Sequence, residues 1–467
     1  MPNLQMQKPK PISPGLVRQI GFFSATALVI SNMIGMGIFV TTGYMASALG
    51  SATLILACWG VGALFAFAGA LSYSELGINF PSSGGEYVYL SRAFGPEWGF
   101  MTGWVSFFAG FSAPIAAASL GFADYLGHVF PALRHGNTLF EFGPKNFTIH
   151  VGAEQFAASA LIAAFTALNC FGVGRAAKVQ NVLTSSKLVI IVGFIVLAFA
   201  YGNGHWSHFS EPSVRASSGS ISSVFFVEML FVMVGYSGWN AATYVAEELR
   251  RPERTLPAAI ALGTVIVAVL YVGLNVVFIY ATPVSVMANK PDLAPGAVSA
   301  INLFGPSIGG IWAVLMAACL MSTVNAEVTV GPRVYYAMAK NRAFFSAAAR
   351  VHPRFHTPIV AILSQGACAI LMTATPFPDL LNYIGMSLTI FTVLSVVSLL
   401  VFRRREVGWQ RLRAVDFAFP LIPALYILVG TAMVIFGVKE RPLASLLAFA
   451  TVGAGALVYR FGVRPAA

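Results

Sequence analysis

The chain has 467 residues, of which 57% are hydrophobic and only 10% are charged. About a quarter of the residues of a soluble globular protein are charged, so this composition excludes that class and indicates a polytopic membrane protein. The net charge of +11 does not indicate nucleic-acid binding, because the basic residues lie in short segments between apolar runs, as the positive-inside rule predicts.

Apolar runs long enough to span a bilayer follow one another along the chain. They predict an all-α membrane protein with twelve transmembrane helices. The runs lie near residues 21–44, 51–74, 97–126, 152–172, 179–201, 221–245, 258–281, 308–328, 358–376, 380–402, 417–437 and 441–460. The polar segment 1–20 precedes them and is predicted to be a cytoplasmic tail, because no cleavage site of small residues follows the first run.

The lysines and arginines are distributed unequally between alternate connections. With twelve spans, 21 of the 28 fall on the side that holds both termini, six fall on the other side, and Lys187 lies inside a run. The positive-inside rule therefore predicts a multi-pass protein of the inner (plasma) membrane with both termini in the cytoplasm.

The cysteines do not form a redox or zinc motif. All four lie inside apolar runs, where cysteine behaves as a small hydrophobe: Cys58, Cys170, Cys319 and Cys368. We therefore expect no cofactor and no metal. The three longest outer connections, 127–151, 202–220 and 282–307, are predicted to be loops and contain no cysteine, so no disulfide-linked partner subunit is expected.

The first apolar run is interrupted at its middle by two glycines, Gly35 and Gly37. A glycine inside a helix costs about 1 kcal/mol relative to alanine. A helix that breaks at bilayer depth frees N–H and C=O groups, which must be buried in protein or face a water-filled cavity. The segment therefore either binds a ligand or packs closely through its small residues.

The sixth run contains a matching interruption, the segment 234–240, with glycines at Gly235 and Gly238. Paired interruptions in corresponding helices are typical of secondary transporters built from inverted repeats. The spacing predicts two five-helix repeats, 21–201 and 202–402, followed by helices 11 and 12 in residues 403–467.

Several motifs in order along residues 20–460 resemble the amino acid–polyamine–organocation permeases, especially bacterial members similar to L-type amino acid transporters. The motifs are Gly35-Met36-Gly37-Ile38-Phe39, Tyr73-Ser74-Glu75-Leu76-Gly77, Pro81-Ser82-Ser83-Gly84-Gly85-Glu86-Tyr87-Val88-Tyr89-Leu90, Ala93-Phe94-Gly95-Pro96 and Gly238-Trp239-Asn240 leading to Glu247-Glu248-Leu249-Arg250-Arg251-Pro252. The resemblance implies a LeuT-like fold with discontinuous helices 1 and 6.

An α-amino acid fits the first interruption. The N–H groups around Gly35, Met36 and Gly37 begin a half-helix whose positive end suits a carboxylate. Unpaired carbonyls around Met33 and in the sixth run are expected to accept hydrogen bonds from the α-ammonium. The resemblance implies these substrate-binding positions: Met33, Ile34, Gly35, Met36, Gly37, Val234, Gly235 and Ser237.

Two of these positions depart from the pattern of the family. Family members often have a serine where Met36 stands, and some have a large aromatic residue where Val234 stands. Methionine offers no hydroxyl to a carboxylate, so Gly35 and Gly37 are predicted to matter more than Met36. Retained substrate binding in both Gly35→Val and Gly37→Val would contradict this prediction.

Lys187 lies eight residues into the fifth run. A lysine at the centre of a span costs about 2.5–3.5 kcal/mol on insertion scales and usually faces the interior of the bundle. The resemblance implies that its amine occupies the place of sodium in sodium-driven relatives, with Ser322 and Thr323 as neighbours. We expect Lys187 to tie span one to span eight.

Gating is predicted at Tyr236, Trp239 and Asn240, because a large ring beside an unwound segment closes a path with a small movement. Glu327 is expected to pair with Arg333. Glu228 is expected near the outer face, either exposed or lining the entry. A cytoplasmic gate is predicted from other charged residues: Glu75, Glu86, Arg92 and the cluster Arg250 to Arg254.

The predicted function is secondary transport by alternating access. The substrate is expected to be a neutral or cationic amino acid, moved across a lipid bilayer without sodium, either with protons or by exchange. A polyamine or other organic-amine carrier is the alternative, although no acidic residue stands in the middle of spans one or six. A membrane-embedded sensor or receptor and an intramembrane enzyme are disfavoured, because neither an output domain nor a paired His, Asp or Cys constellation is evident.

Overall fold

The computed structural model describes residues 16–133, 138–142, 149–211, 213–289, 295–375, 377–440 and 442–463. Within these residues the protein is predominantly helical, with one two-stranded sheet. Most of the predicted N-terminal tail, residues 1–15, lies outside the described part.

The first half of the chain forms the first eight helices and both strands. They are α1 (Phe22–Met33), α2 (Met36–Leu49), α3 (Ala52–Asn79), α4 (Glu86–Phe94), α5 (Pro96–Val105), α6 (Ala113–Gly127), β1 (Thr138–Phe142), β2 (Ile149–Gly152), α7 (Ala153–Cys170) and α8 (Val173–Tyr201). A π-helical segment, Ser106–Ser112, joins α5 to α6, so that Pro96–Gly127 forms one continuous helix.

The second half forms the remaining helices. They are α9 (Ile221–Tyr236), α10 (Ala241–Tyr244), α11 (Pro252–Ala281), α12 (Val284–Asn289), α13 (Pro295–Phe304), α14 (Pro306–Val330), α15 (Pro332–Lys340), α16 (Ile359–Met372), α17 (Phe377–Arg405), α18 (Arg413–Phe417), α19 (Leu421–Glu440) and α20 (Pro442–Gly462).

The helices carry the apolar runs that the sequence predicts. In the described part of the chain, nine helical segments are long and apolar enough to cross a membrane. The other three predicted runs form α7, α9 and α16, which are shorter or less apolar. The protein is therefore a multi-pass membrane protein.

Burial places the first interrupted helix at the centre of the bundle. In the segment Phe22–Leu49, 83% of the apolar 18-residue stretch is buried, against 22% for Ser445–Gly462 at the other end of the chain. Helix α1 packs against α8, α11 and α14, and α2 packs against α9. The last helix is peripheral, and its exposed apolar side chains suit contact with lipid.

Two of the connections that we predicted to be loops contain regular structure. β1 and β2 form an antiparallel pair that occupies part of 127–151 and ends at Gly152, and α12 and α13 occupy much of 282–307. The prediction of loops there was wrong, because Gly, Pro, Ser and Asn content conceals short segments such as Thr138–Phe142 that are rich in strand-forming residues. The all-α description therefore holds for the bundle but not for this hairpin.

Candidate binding site between the interrupted helices

The two interruptions occur where the sequence places them, and both open on the same space. Residues 34 and 35 separate α1 from α2, and residues 237–240 separate α9 from α10. A cavity lies between them. Its wall includes the first turn of α2, together with Val234 and Ser237 from the second interruption and Thr323 and Glu327 from α14.

A second, larger cavity shares Asn32, Val234, Ser237 and Glu327 with the first. It extends along the second interruption past Trp239 and Asn240 to Glu86. The two cavities therefore adjoin and make up one candidate site, with a small compartment at the first interruption and a larger, aromatic compartment at the second.

The first turn of α2 borders the small compartment through Gly35, Met36 and Gly37. The N–H of Gly35 donates to Met33 O at 2.9 Å, and the following N–H groups begin a 14-residue helix. First-turn N–H groups have no partner within their own helix, and the macrodipole adds partial positive charge. This end of the cavity suits an anion.

Gly35 and Gly37 have different structural reasons to lack a side chain. A Cβ on Gly37 would lie 2.7 Å from the Cα of Gly235, so Gly37 permits α2 and α9 to cross backbone to backbone. A Cβ on Gly35 would meet only Thr323 Cγ2, at an ordinary 3.5 Å. The fold therefore requires glycine at position 37, whereas at position 35 glycine keeps the cavity open.

Lys187 reaches the first interruption from α8. Its Nζ donates to Ile34 O at 2.6 Å and to Thr323 Oγ1 at 2.9 Å, and the side chain is only 1% exposed. The Thr323 hydroxyl also donates to Ile34 O, at 2.7 Å. One ammonium thus links the unwound segment to α14.

Ser322 belongs to a neighbouring set of hydrogen bonds. Its Oγ lies 2.7 Å from Ser31 Oγ and accepts from Gln180 Nε2 at 3.1 Å. Ser31 Oγ also lies 2.7 Å from Thr184 Oγ1. Ser322 therefore joins α1, α8 and α14 through its own partners, while Thr323 is the hydroxyl that Lys187 contacts.

Tyr271 joins the two interruptions, and the sequence analysis missed it. Its hydroxyl on α11 lies 2.6 Å from Met33 O and 2.9 Å from Gly235 O. The sequence did contain a signal that could have identified Tyr271, namely a tyrosine inside an apolar run. A buried phenol hydroxyl needs a hydrogen-bond partner, so such a tyrosine indicates a polar contact within the bundle.

The carbonyls that we expected to be unpaired already have donors. Met33 O accepts from Tyr271 and from Gly35 N, and Val234 O accepts from Ser237 Oγ at 2.7 Å and from Ser237 N at 3.2 Å. That expectation was wrong because side chains satisfy the carbonyls that the helix breaks release.

The second interruption holds Trp239 and Asn240 against the large compartment. Trp239 is 2% exposed and packs edge-on against Tyr73, with ring centroids 4.7 Å apart. Asn240 Nδ2 donates to Glu86 Oε1 at 2.9 Å. Tyr236, by contrast, lines neither compartment; its hydroxyl donates to Trp59 O at 3.1 Å.

Gly238 has a positive φ of 95°, and a Cβ there would lie 2.7 Å from the backbone of Asn32. This conformation and this close contact both require glycine. The second interruption is therefore held against α1 by a residue that no larger side chain replaces without strain.

The predicted pairing of Glu327 with Arg333 was wrong. Arg333 Nε donates instead to Glu248 Oε1 at 2.8 Å, and both side chains are buried. Residues six positions apart point to different sides of a helix, and Pro332 begins α15 between them. Glu327 instead faces the cavity.

The predicted charge cluster at the cytoplasmic gate was also wrong. Glu75 accepts from Arg403 Nη2 at 2.6 Å and from Trp409 Nε1 at 2.7 Å. Arg92 stacks on the Phe80 ring at 4.8 Å. The partners of Glu75 come from the last turn of α17 and from the segment after it, which are far away in the sequence and adjacent only in the fold.

Glu86 likewise has neutral partners in place of the expected arginines. It accepts from the hydroxyls of Tyr73 at 2.8 Å and Tyr244 at 2.9 Å, and from Asn240. Glu228 is 3% exposed, so the exposed position that we considered for it is excluded.

Comparison with known proteins agrees with this geometry. Residues 20–457 match the family model described as amino acid permease. The chain is 30% identical to the large neutral amino acids transporter small subunit 2 of Mus musculus, over 96% of this chain and 81% of the relative. It is 29% identical to the serine/threonine exchanger SteT of Bacillus subtilis (strain 168), over 88% and 89%. It is 28% identical to the Asc-type amino acid transporter 1 of Mus musculus, over 96% and 82%.

The matched residues cover both interrupted helices and every element that lines the cavity. These relatives are transporters and exchangers, and the chain is accordingly a transporter and not an enzyme. The chain belongs to the amino acid permease family of the amino acid–polyamine–organocation superfamily and carries amino acids across a membrane.

Proposed function

We propose that this permease is a sodium-independent secondary carrier of α-amino acids that works by alternating access, either with protons or by exchange. Its frame consists of two inverted five-helix repeats, 21–201 and 202–402, with two further helices in 403–467. The observation that carries the proposal is the common cavity between two interrupted helices, one of which presents its N-terminus to that cavity.

The substrate carboxylate binds at the first turn of α2. The N–H groups of Met36 and Gly37 are directed there by the helix, and backbone donors hold an anion without any side-chain hydroxyl. The absence of a serine at Met36 therefore leaves carboxylate binding intact. Gly35 keeps the approach to these groups open.

The α-ammonium binds at the oxygens of the same compartment. Ser237 lies on its wall, and because its hydroxyl hydrogen is donated to Val234 O, its oxygen has two lone pairs free to accept from the ammonium. Val234 lines the same wall, although its own carbonyl oxygen already accepts two hydrogen bonds. Met33 also lines this compartment, but its carbonyl oxygen already accepts hydrogen bonds from Tyr271 and from Gly35 N. A zwitterion thus finds its two complements on two different interrupted helices.

Lys187 takes the place of a coupling cation. Its ammonium lies among the oxygens of Ile34 and Thr323 at 2.6 and 2.9 Å, a setting of backbone and hydroxyl oxygens that also suits a small monovalent cation. Because the ammonium is part of the chain, it ties α1 to α14 with no sodium requirement.

Trp239 and Asn240 gate the large compartment, and Tyr236 acts on this gate indirectly, through the backbone of α9. The proposal is supported by the position of Trp239 on the compartment wall and by the hydrogen bond of Asn240 to Glu86. A shift of residues 237–240 moves both groups together.

The protein lies in the inner (plasma) membrane with both termini in the cytoplasm, as the distribution of basic residues supports. It functions without a disulfide-linked partner subunit. Support comes from the four cysteines, which are unpaired and lie in helices α3, α7, α14 and α16.

Uptake of labelled amino acids into liposomes that contain the purified protein tests the proposal. We expect uptake that is unchanged when choline replaces sodium; a sodium requirement would contradict the role of Lys187. Lys187→Ala is expected to lose transport, and unchanged transport would reject that role altogether.

The same liposomes distinguish exchange from symport. Equal uptake by empty liposomes and by liposomes preloaded with amino acid would exclude obligatory exchange, while uptake driven by an inward proton gradient would indicate symport.

An organic-amine carrier remains the second candidate, because Glu327 supplies the cavity with an acidic residue, whereas none stands in the middle of spans one and six. Arginine and agmatine distinguish the two functions, since agmatine is arginine without its carboxylate. We expect arginine to compete for uptake far better than agmatine, because only arginine engages the α2 N-terminus. The reverse order would favour the amine carrier.

A further inference from the structure

Glu327 is a cavity carboxylate to which the transport mechanism above assigns no role. It lies on α14, one helical turn after Thr323, and borders both compartments. Its side chain is 7% exposed, and Oε2 has no hydrogen-bond partner in the described part of the chain.

The other carboxylate of the cavity, Glu86, has a very different environment. Two tyrosine hydroxyls and an amide donate to it at 2.8–2.9 Å. These neutral donors satisfy Glu86 within the protein. Glu327 has no such shell, so the two acids have different roles although they border the same space.

An ionised carboxylate in a low-dielectric interior is strongly disfavoured unless a cation or several donors compensate it. Lys187 is the cation closest in the network, but its ammonium is directed at Ile34 O and Thr323 Oγ1. The compensating group for Glu327 is therefore either a bound proton or a cation that enters with the ligand.

Of these two, the walls of the large compartment favour a cation that enters with the ligand over a bound proton. Aromatic rings from five elements surround it, namely Phe65, Phe111, Trp239, Tyr244 and Tyr426. A guanidinium or ammonium among aromatic faces gains cation–π attraction, which is greatest where water is excluded. A carboxylate without a partner beside aromatic rings forms a suitable site for a cationic side chain.

Resting on the function proposed above, we propose that Glu327 binds the positive charge on the substrate side chain and that cationic α-amino acids are the preferred substrates. The α2 N-terminus holds the carboxylate in the small compartment, which keeps the adjacent α-ammonium in that same compartment. Glu327 stands at the junction of the two compartments, so a side chain that extends into the large one passes it.

Arginine and citrulline test this proposal, because they have nearly the same shape and differ in side-chain charge. The assay measures inhibition of labelled amino acid uptake into proteoliposomes by each of them. The proposal expects arginine to inhibit at least about tenfold more potently, equivalent to 1.4 kcal/mol. Glu327→Gln keeps the shape and removes the charge, and is expected to reduce the ratio to nearly one.

Glu228→Gln is the matched control. It removes a buried carboxylate from α9 that borders neither compartment, so it should leave the arginine-to-citrulline ratio as in the unmodified protein. Thermal unfolding in detergent checks that each variant is folded. If Glu327→Gln is not recovered, Glu327→Ala replaces it, and the comparison in the unmodified protein needs no variant at all.

Equal inhibition by arginine and citrulline in the unmodified protein overturns the proposal, and so does a ratio that survives in Glu327→Gln. If neutral amino acids are taken up while arginine has no advantage, amino acid transport stands and only the role of Glu327 fails. If no α-amino acid is taken up, the proposed function itself fails.

Discussion

The two interruptions are held in place by different means. At the first, side chains from three other helices bind the carbonyls of residues 33 and 34: Lys187 from α8, Tyr271 from α11 and Thr323 from α14. At the second, the segment 237–240 largely satisfies itself, since Ser237 Oγ donates to Val234 O and Thr243 Oγ1 to Asn240 O.

This contrast indicates that the two segments have different roles in the transport cycle. The first is fastened to the scaffold by charged and phenolic hydrogen bonds, so its N–H groups form a rigid substrate cradle. The second carries the bulky Trp239 and depends mainly on its own hydrogen bonds, which a rigid-body shift preserves. We infer that the first interruption positions the ligand and the second moves.

The two segments meet where Gly37 of α2 crosses Gly235 of α9, and the largest effect is expected there. Gly37→Ala places a Cβ 2.7 Å from the Gly235 Cα, which forces the helices apart. Such overpacking costs about 1–3 kcal/mol. We expect a lower unfolding temperature and almost no transport; an unchanged unfolding temperature would show that the crossing yields easily.

Lys187→Met tests whether the first interruption depends on its external anchors. The variant keeps the length of the side chain and removes the hydrogen bonds to Ile34 O and Thr323 Oγ1, each worth about 1.5–3 kcal/mol when the donor is charged. We expect transport to fall at least tenfold, as measured by initial uptake rates. Transport within twofold of normal would remove the contrast between the two segments.

Gly35→Ala is the matched counterpart of Gly37→Ala. The added Cβ lies 3.5 Å from Thr323 Cγ2, and the φ of −115° suits any residue, so the unfolding temperature should stay the same. The methyl group enters the cavity beside the α2 N-terminus, so we expect KM to rise about tenfold, equivalent to about 1.4 kcal/mol. An unchanged KM would place the substrate away from the first interruption.

Ser237→Ala removes a hydrogen bond that the second interruption makes within itself. The bond from Ser237 Oγ to Val234 O is worth about 0.5–1.5 kcal/mol, and the backbone bond between the same residues remains. We expect a decrease of a few degrees in unfolding temperature and a reduction of transport that is smaller than for Lys187→Met. The opposite order would reverse our assignment of the rigid segment.

Met36→Leu is expected to have the smallest effect. The Met36 side chain fills the space over Gly121 of α6, and leucine has nearly the same volume. Volume-conserving changes in a core usually cost less than about 1.5 kcal/mol. Since the backbone N–H of residue 36 is unaltered, uptake should remain close to normal, and a loss as large as for Gly35→Ala would assign the side chain a direct role.

The positions of both interruptions were predictable because their signal is local. Two glycines in the middle of an apolar run weaken a helix whatever packs around it, as at Gly35 and Gly37. Lys187 was noticeable for the same reason, since a charge inside an apolar run must find partners in the bundle. Its contact with Ile34 O could be anticipated once the first interruption was placed near Lys187, because a helix break releases carbonyl oxygens.

The partners of the other charged groups were not predictable. Glu75, Glu86 and Glu327 each lie on a helix whose rotation about its axis decides which neighbour the side chain meets. Arg403, which pairs with Glu75, is 328 positions away in the chain. No hydropathy pattern encodes such a pair. Rotation of a helix about its axis changes which neighbour a side chain meets, but it leaves the hydropathy of the segment unchanged.

By itself, the sequence determined that this protein is a membrane protein built of helices, that two of those helices break at bilayer depth, and that a lysine is buried among them. These properties follow from hydrophobicity, glycine and charge, which act within a single segment. Only the tertiary structure decided that Gly37 serves packing while Gly35 borders the cavity, that Tyr271 joins the two interruptions, and that Glu327 faces the cavity. Those properties depend on how helices are rotated and crossed against each other, which is settled by packing among segments far apart in the chain.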